Sequence, residues 1–294
     1  MSNDTSRPVR PGIPAAGTLI TVAPTGAETA KADCPQLPTT LAELVETAIA
    51  CEAAGASMIH IHIRDADHQP SLDPVLLRET VQAVREQTSL VIQLSTGGSV
   101  RDSLEKRLTV LDAEPDACSL TCGTTNFGDE VFLNPYPFMA QLYQLAQERE
   151  IVPEFELIEL GHVEGLRRLI DAYGLPFGGK VHVDFVTGIP GGMPGTPAAL
   201  LAGIHALPPE VTSWASGGIG RSHLPIAATA LACGGHLRVG MEDNLYYAKG
   251  QRVQGNDELV SRAADLARLM QRPPLTTDDA RVLLGIKSRR PATV

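Results

Sequence analysis

The heptapeptide Ile59-His60-Ile61-His62-Ile63-Arg64-Asp65 sets two imidazoles two residues apart within a β-branched run. Alternate side chains of a strand share a face, so His60 and His62 project together while the isoleucines face the other way. Two neutral imidazoles converging at a strand end form half of a metal site. A carboxylate from elsewhere could complete a three-ligand site with one position open to substrate. Zn2+ is the leading candidate, although two His and one carboxylate also suit Fe, Mn or Co. Taken alone, the pair is equally readable as hydrogen-bonding core histidines. A second stretch, LRVGMEDN at 237–244, reads as a strand with Arg238, Gly240 and Glu242 on one face. Glu242 is then the candidate third ligand, and Asp243, at the turn, is free for proton transfer. Without the histidines, an ordinary ion-pair cluster at a strand end would be the preferred reading.

Other polar segments follow apolar runs. Ser95-Thr96-Gly97-Gly98 could bring hydroxyls and backbone N–H groups close to a carboxylate. Glu28 lies on a loop after the first run, and of Glu154 and Glu156 in the fifth run at least one is expected to face a cavity. Gly217-Gly218-Ile219-Gly220-Arg221 follows the seventh, where Gly218, Gly220 and Arg221 could hold the phosphates of a nucleotide-bearing thioester. His68, His162, His182, His205, His223 and His236 are expected to be structural or exposed, the last of them, with His162, His182 and His205, for want of a same-face partner.

The elements that must position these groups form an alternating series. Eight strand-length apolar runs occur at 18–23, 58–63, 90–94, 117–122, 155–158, 181–186, 212–215 and 237–241. Between several of them lie helical patterns such as 40–54, 73–87 and 225–232. Strands alternating with helices pair in parallel, and eight units close into a (β/α)8 TIM barrel of the α/β class. The eighth strand then neighbours the first, with the second next, which brings Glu242 within reach of His60 and His62. Patterns at 256–270 and 277–284 predict the last barrel helix and a C-terminal helical extension. One catalytic domain is expected over 17–286, between tails at 1–16 and 287–294. The net charge of −10 argues against a nucleic-acid surface. No run approaches the roughly 18 apolar residues of a membrane span, so a cytoplasmic protein is expected. Five irregularly spaced cysteines without a C-x-x-C pair point to reduced thiols.

TGAET near residue 25, IHIHIRD, QLSTGGS, GTTNFGD at 123–129, VPEFELIE, GIPGGMPG, GGIGR and GGHLRVGMEDN occur in this order. Together they resemble the β-keto acid cleavage enzyme family, particularly its members acting on 3-keto-5-aminohexanoate. The resemblance implies a zinc barrel that converts a β-keto acid and acetyl-CoA into acetoacetate and a new acyl-CoA. It implies zinc ligation by His60, His62 and Glu242, and catalysis by Asp243 with Arg238. The expected step is removal of a methyl proton from acetyl-CoA by Asp243. Ser95 and Gly98 match residues that hold the keto acid, flanked by Thr96 and Gly97, and Glu28 matches a contact suited to an amino group. Ser119 and Thr121 stand where the lysine-fermentation members have Thr and Asn, which bears on substrate identity. Negative charge at Glu28 and Glu156 suggests a substrate with a cationic tail, and a homotetramer is implied. The rival readings are a zinc-dependent barrel hydrolase and a non-catalytic metal- or metabolite-binding barrel.

Overall fold

A computed structural model describes residues 17–287; the expected tails at 1–16 and 287–294 lie outside them apart from Lys287. Eight parallel strands close into a barrel: β1 (Ile20–Val22), β2 (Met58–Ile61), β3 (Val91–Leu94), β4 (Ala117–Thr121), β5 (Val152–Leu157), β6 (Val181–Thr187), β7 (Val211–Gly218) and β8 (His236–Val239). Each pairs with its chain neighbours, and β1 closes the ring between β8 and β2. The helices are α1 (Leu41–Ala54), α2 (Pro74–Gln87), α3 (Leu104–Thr109), α4 (Tyr136–Glu148), α5 (His162–Tyr173), α6 (Pro197–Ala206), α7 (His223–Ala232), α8 (Asn256–Leu269) and α9 (Thr277–Leu284). Among the described residues, no helix is long and apolar enough to cross a membrane.

Local chemistry explains the boundaries. Thr40 caps α1 in a reciprocal capping box with Glu43, and Gly55 ends the helix in the left-handed conformation at φ 115°. Asp73 caps α2 ahead of Pro74. Strand alternation divides the barrel walls. Ile59, Ile61, Ile92, Leu94, Phe155, Leu157, Val183, Phe185, Leu237 and Val239 join the core between strands and helices. Facing inward, His60, Gln93, Glu154, His182, Asp184 and Arg238 give this barrel a polar interior in place of the usual layers of branched apolar side chains. Underneath, Ala280 and Leu284 of α9 pack against Leu19, Met58, Val91, Ala117 and Val152, so the C-terminal extension floors the barrel.

Three strand expectations are corrected. β5 begins at Val152 rather than at 155, and β7 runs on to Gly218. β8 ends at Val239, so Glu242 lies on a turn beyond the strand. The cause is Gly240, whose φ is 150° and whose added Cβ would sit 2.0 Å from the Ala23 carbonyl oxygen. The chain folds over there, with Glu242 N–H donating to Ala23 O and Asn244 N–H to Gly240 O.

Candidate active site

A cavity of about 270 Å3 opens at the C-terminal ends of the strands, the end where barrels of this kind carry their chemistry. At its base, His60 Nε2 and His62 Nε2 lie 3.9 and 3.7 Å from Glu242 Oε1. One ligand atom from each of the three falls within 4.8 Å of the others, close to the spacing that bonds of about 2.0–2.2 Å to one ion require. Glu242 Oε2 is buried without a hydrogen-bond partner, as a carboxylate oxygen awaiting a cation would be. Burial, partly opposed by Glu242 and reinforced by His60 and Arg238, holds His62 at about 4, neutral and able to ligate at pH 7. Burial pushes Glu242 up, but the Arg238 charge and the two imidazoles outweigh it and hold the carboxyl at about 2.

Arg238 is the electrostatic centre. Its Nε and Nη2 donate to Asp243 Oδ2 and Oδ1 at 3.0 and 3.1 Å, and Nη2 donates to Glu242 Oε1 at 2.6 Å. Nη1 meets Glu156 Oε1 at 3.3 Å and approaches Asp184 Oδ2 at 3.6 Å. Four carboxyl groups around one guanidinium leave a negative excess in a buried place, which a divalent cation would offset. Burial and the neighbouring Glu154 carboxylate raise Asp184 well above its ordinary range, against the pull of Arg238. Asp243 is also raised, chiefly by burial and then by Glu242, against the pull of Arg238. A carboxylate raised towards neutrality and held in a fixed orientation is suited to take and return a proton.

The remaining sequence candidates separate into those on the cavity wall and those behind it. Glu28, Ser95, Gly97, Gly98 and Glu156 line the cavity. Glu28 is exposed at the rim, whereas Glu156 is occupied at both oxygens, by Arg238 and by Thr121 Oγ1 at 2.8 Å. Thr96 and Ser119 bond each other, Thr96 Oγ1 to Ser119 O at 2.7 Å and Thr96 N–H to Ser119 Oγ at 3.2 Å, and so brace the turn from behind. Gly218, Gly220 and Arg221 border the cavity through Ile219, which lines it. Gly220 N–H donates to Asp243 O, its Cα faces open space, and Arg221 is exposed.

Several supporting residues carried no recognisable signal. Arg64 clamps the Glu28 loop through the carbonyls of Gly26 and Thr29. Arg107, 2% exposed, holds Thr96 O, Leu133 O and Asn134 Oδ1 beneath the Ser95 turn. Asn256, first residue of α8, joins Met241 N–H to Pro24 O. Across the cavity stand Val100, Phe127, Phe132, Ile158, Val186, Ile189 and Ile219, an apolar wall contributed by five successive loops and strand ends. His182 and His236, expected to be structural or exposed, are buried: His182 faces Glu154 and Ser213 on adjacent strands, and His236 Nδ1 accepts from Leu19 N–H. Periodicity along one strand does not reveal what the adjacent strand presents.

A family model described as beta-keto acid cleavage enzyme matches residues 18–286. The chain is 37% identical over 270 residues to the 3-keto-5-aminohexanoate cleavage enzyme of Acetoanaerobium sticklandii, covering 91% of this chain and 98% of that one. It is 34% identical over 278 residues to the 3-oxoadipate:acetyl-CoA acetyltransferase of Cupriavidus necator, covering 92% and 95%. Among solved structures, the apo form of ObcA superposes with a TM-score of 0.74 at 19% identity, covering 86% of this chain and 66% of that one, which supports the barrel alone. The chain belongs to the β-keto acid cleavage enzyme family.

Proposed function

We propose that this enzyme cleaves a small β-keto acid with acetyl-CoA, yielding acetoacetate and a new acyl-CoA. The observation that carries the reading is Asp243, gripped by Arg238 at 3.0 and 3.1 Å beside the His60, His62 and Glu242 cluster at the cavity base. We assign the metal as Zn2+; when bound, it supplies a Lewis acid that polarises the keto group.

Atom balance revises which proton Asp243 takes. Acetoacetate retains the acetyl carbonyl carbon bonded to the CH2 that bears the carboxylate, so the new bond joins that carbonyl to C2 of the keto acid. A carbanion at the acetyl-CoA methyl could not give this product. Asp243 therefore takes a C2 proton, and the C2 carbanion attacks the thioester and expels CoA thiolate. The thiolate then adds to C3, the C2–C3 bond breaks, and C2 leaves with the electron pair. Asp243 returns the proton to give acetoacetate, while C3 departs as the new acyl-CoA. Arg238 holds Asp243 in position throughout, and the Ser95 to Gly98 turn receives the substrate carboxylate. Gly218, Gly220 and Arg221, beside the mouth, receive phosphates of CoA.

For the side chain, we propose an amino β-keto acid of the 3-keto-5-aminohexanoate kind, supported by the names of the relatives in Acetoanaerobium sticklandii and Fusobacterium nucleatum. Glu28 is the carboxylate offered to the ammonium, since both oxygens of Glu156 are taken. A cytoplasmic homotetramer is the proposed working state, to be checked by cell fractionation and light scattering. The functional test supplies zinc-loaded protein with acetyl-CoA labelled at its carbonyl carbon and a panel of amino, hydroxy, neutral and dicarboxylic β-keto acids. The expected result is label in the ketone carbon of acetoacetate and an acyl-CoA made from the amino substrate. Hydrolysis without CoA dependence would sink the proposal.

A further inference from the structure

We propose that Gln93, Glu154 and His182 form a buried relay that fixes the tautomer of His60, presenting its Nε2 lone pair to the metal position. This rests on the reading of His60, His62 and Glu242 as metal ligands. The groups come from different barrel strands at related levels, with His60 registered against Gln93, and His182 registered against both Glu154 and Ser213. All are buried.

Donors and acceptors fix the orientation of each group in turn. His60 turns Nε2 to Glu242 and Nδ1 to Gln93 Oε1, 2.5 Å away. The same Gln93 amide donates from Nε2 to Glu154 Oε1 at 3.1 Å. Rotating the amide by half a turn would set its oxygen against a carboxylate oxygen and its NH2 against His60. The oxygen is thereby held on Nδ1, which must carry the imidazole proton, and Nε2 is left with its lone pair. Glu154 is held in turn by proximity to His182: its Oε2 lies 3.3 Å from His182 Nε2, and neither buried atom has a hydrogen-bond partner. His182 Nδ1 is 2.7 Å from Ser213 Oγ. Burial pushes the Glu154 carboxyl up, but His182 and Gln93 outweigh it and leave it below its ordinary value, an acceptor towards both neighbours. Apolar side chains could fill this level without the cost of burying polar atoms. What the polar set supplies instead is orientation, in the manner of groups that sit behind metal-ligating histidines. Gln93, Glu154 and His182 do not line the cavity, so they are positioning residues.

The test measures zinc affinity of metal-free protein by chelator competition, its melting temperature, and the His60 ring nitrogens by 15N NMR. Wild type is expected to show His60 protonated at Nδ1. Gln93→Leu is expected to weaken zinc binding about 10–100-fold in a metal-free protein that still folds, though at a lower melting temperature because the His60 N–H and Glu154 Oε1 lose their partner, and Glu154→Gln about tenfold, because the amide at 93 is then free to turn. Zinc affinity within twofold of wild type in Gln93→Leu, or a wild-type His60 protonated at Nε2, would overturn the relay. Should Gln93→Leu fail to fold, the wild-type tautomer and Glu154→Gln decide the matter. A wild-type protein that binds no zinc would overturn the metal reading itself, and the relay with it.

Discussion

On one side of the cavity, Arg238, Glu242, Asp243, His60 and His62 are tied by directional contacts, most of them to charged partners. On the other, Val100, Phe127, Phe132, Ile158, Val186, Ile189 and Ile219 touch through non-directional apolar packing. Removing Arg238 from the polar side leaves buried carboxylates without their partner, which is costly. Apolar contacts of similar volume exchange at small cost. On the proposed reading, catalysis and choice of acyl group would then rest on separable materials on one scaffold.

The sharpest attempt to break this division is Asp243→Asn. Turnover is expected to fall about 10²–10⁴-fold with zinc content unchanged, read from acetoacetate formation and metal analysis. Near wild-type turnover would remove Asp243 from the chemistry. On the apolar side, Ile189→Ala is expected to shift kcat/KM between substrates of different side-chain size by about 10–200-fold, leaving metal content intact. Loss of zinc in that variant would show the two walls to be coupled. Glu28→Gln tests the rim: kcat/KM for amino substrates is expected to drop about fivefold, equivalent to an exposed ion pair of about 1 kcal/mol. Neutral substrates should be indifferent, and an equal loss for them would remove the ammonium contact.

A last effect, on stability and not on turnover, lies outside both walls. Burial holds His162 at about 4, and burial with help from Arg262 holds His223 at about 4. His236 sits at about 3 through burial, His182 and Arg272. The unfolded chain protonates these near 6.5 and thus binds more protons than the folded one as pH falls from about 6.5 towards 4. Their stabilisation is complete above 6.5 and is lost on acidification. The melting temperature is expected to fall by roughly ten degrees or more over that window, with or without substrate. A rise would contradict the burial of these rings.

The legibility of the sequence followed the same division. His60 and His62 were readable because strand alternation alone fixes their common face, and the helix starting after Thr40 because its cap is local. Glu242 was assigned the right neighbourhood on the wrong element, since the fold-over at Gly240 depends on the close approach of Ala23, over 200 residues away in the chain. Gln93 and His182 gave no signal because their partners stand on other strands. The apolar wall was equally silent: single hydrophobic residues on separate loops have no period, and only closure of the barrel assembles them.

The floor made by α9 has a consequence for how the protein comes into being. Leu284 is synthesised after every strand it covers, and the Thr18 bridge to Pro274 likewise joins the first strand region to a segment made late. Sealing the barrel therefore waits for α9 to follow the strands, and the finished pocket then exchanges with solvent from its mouth.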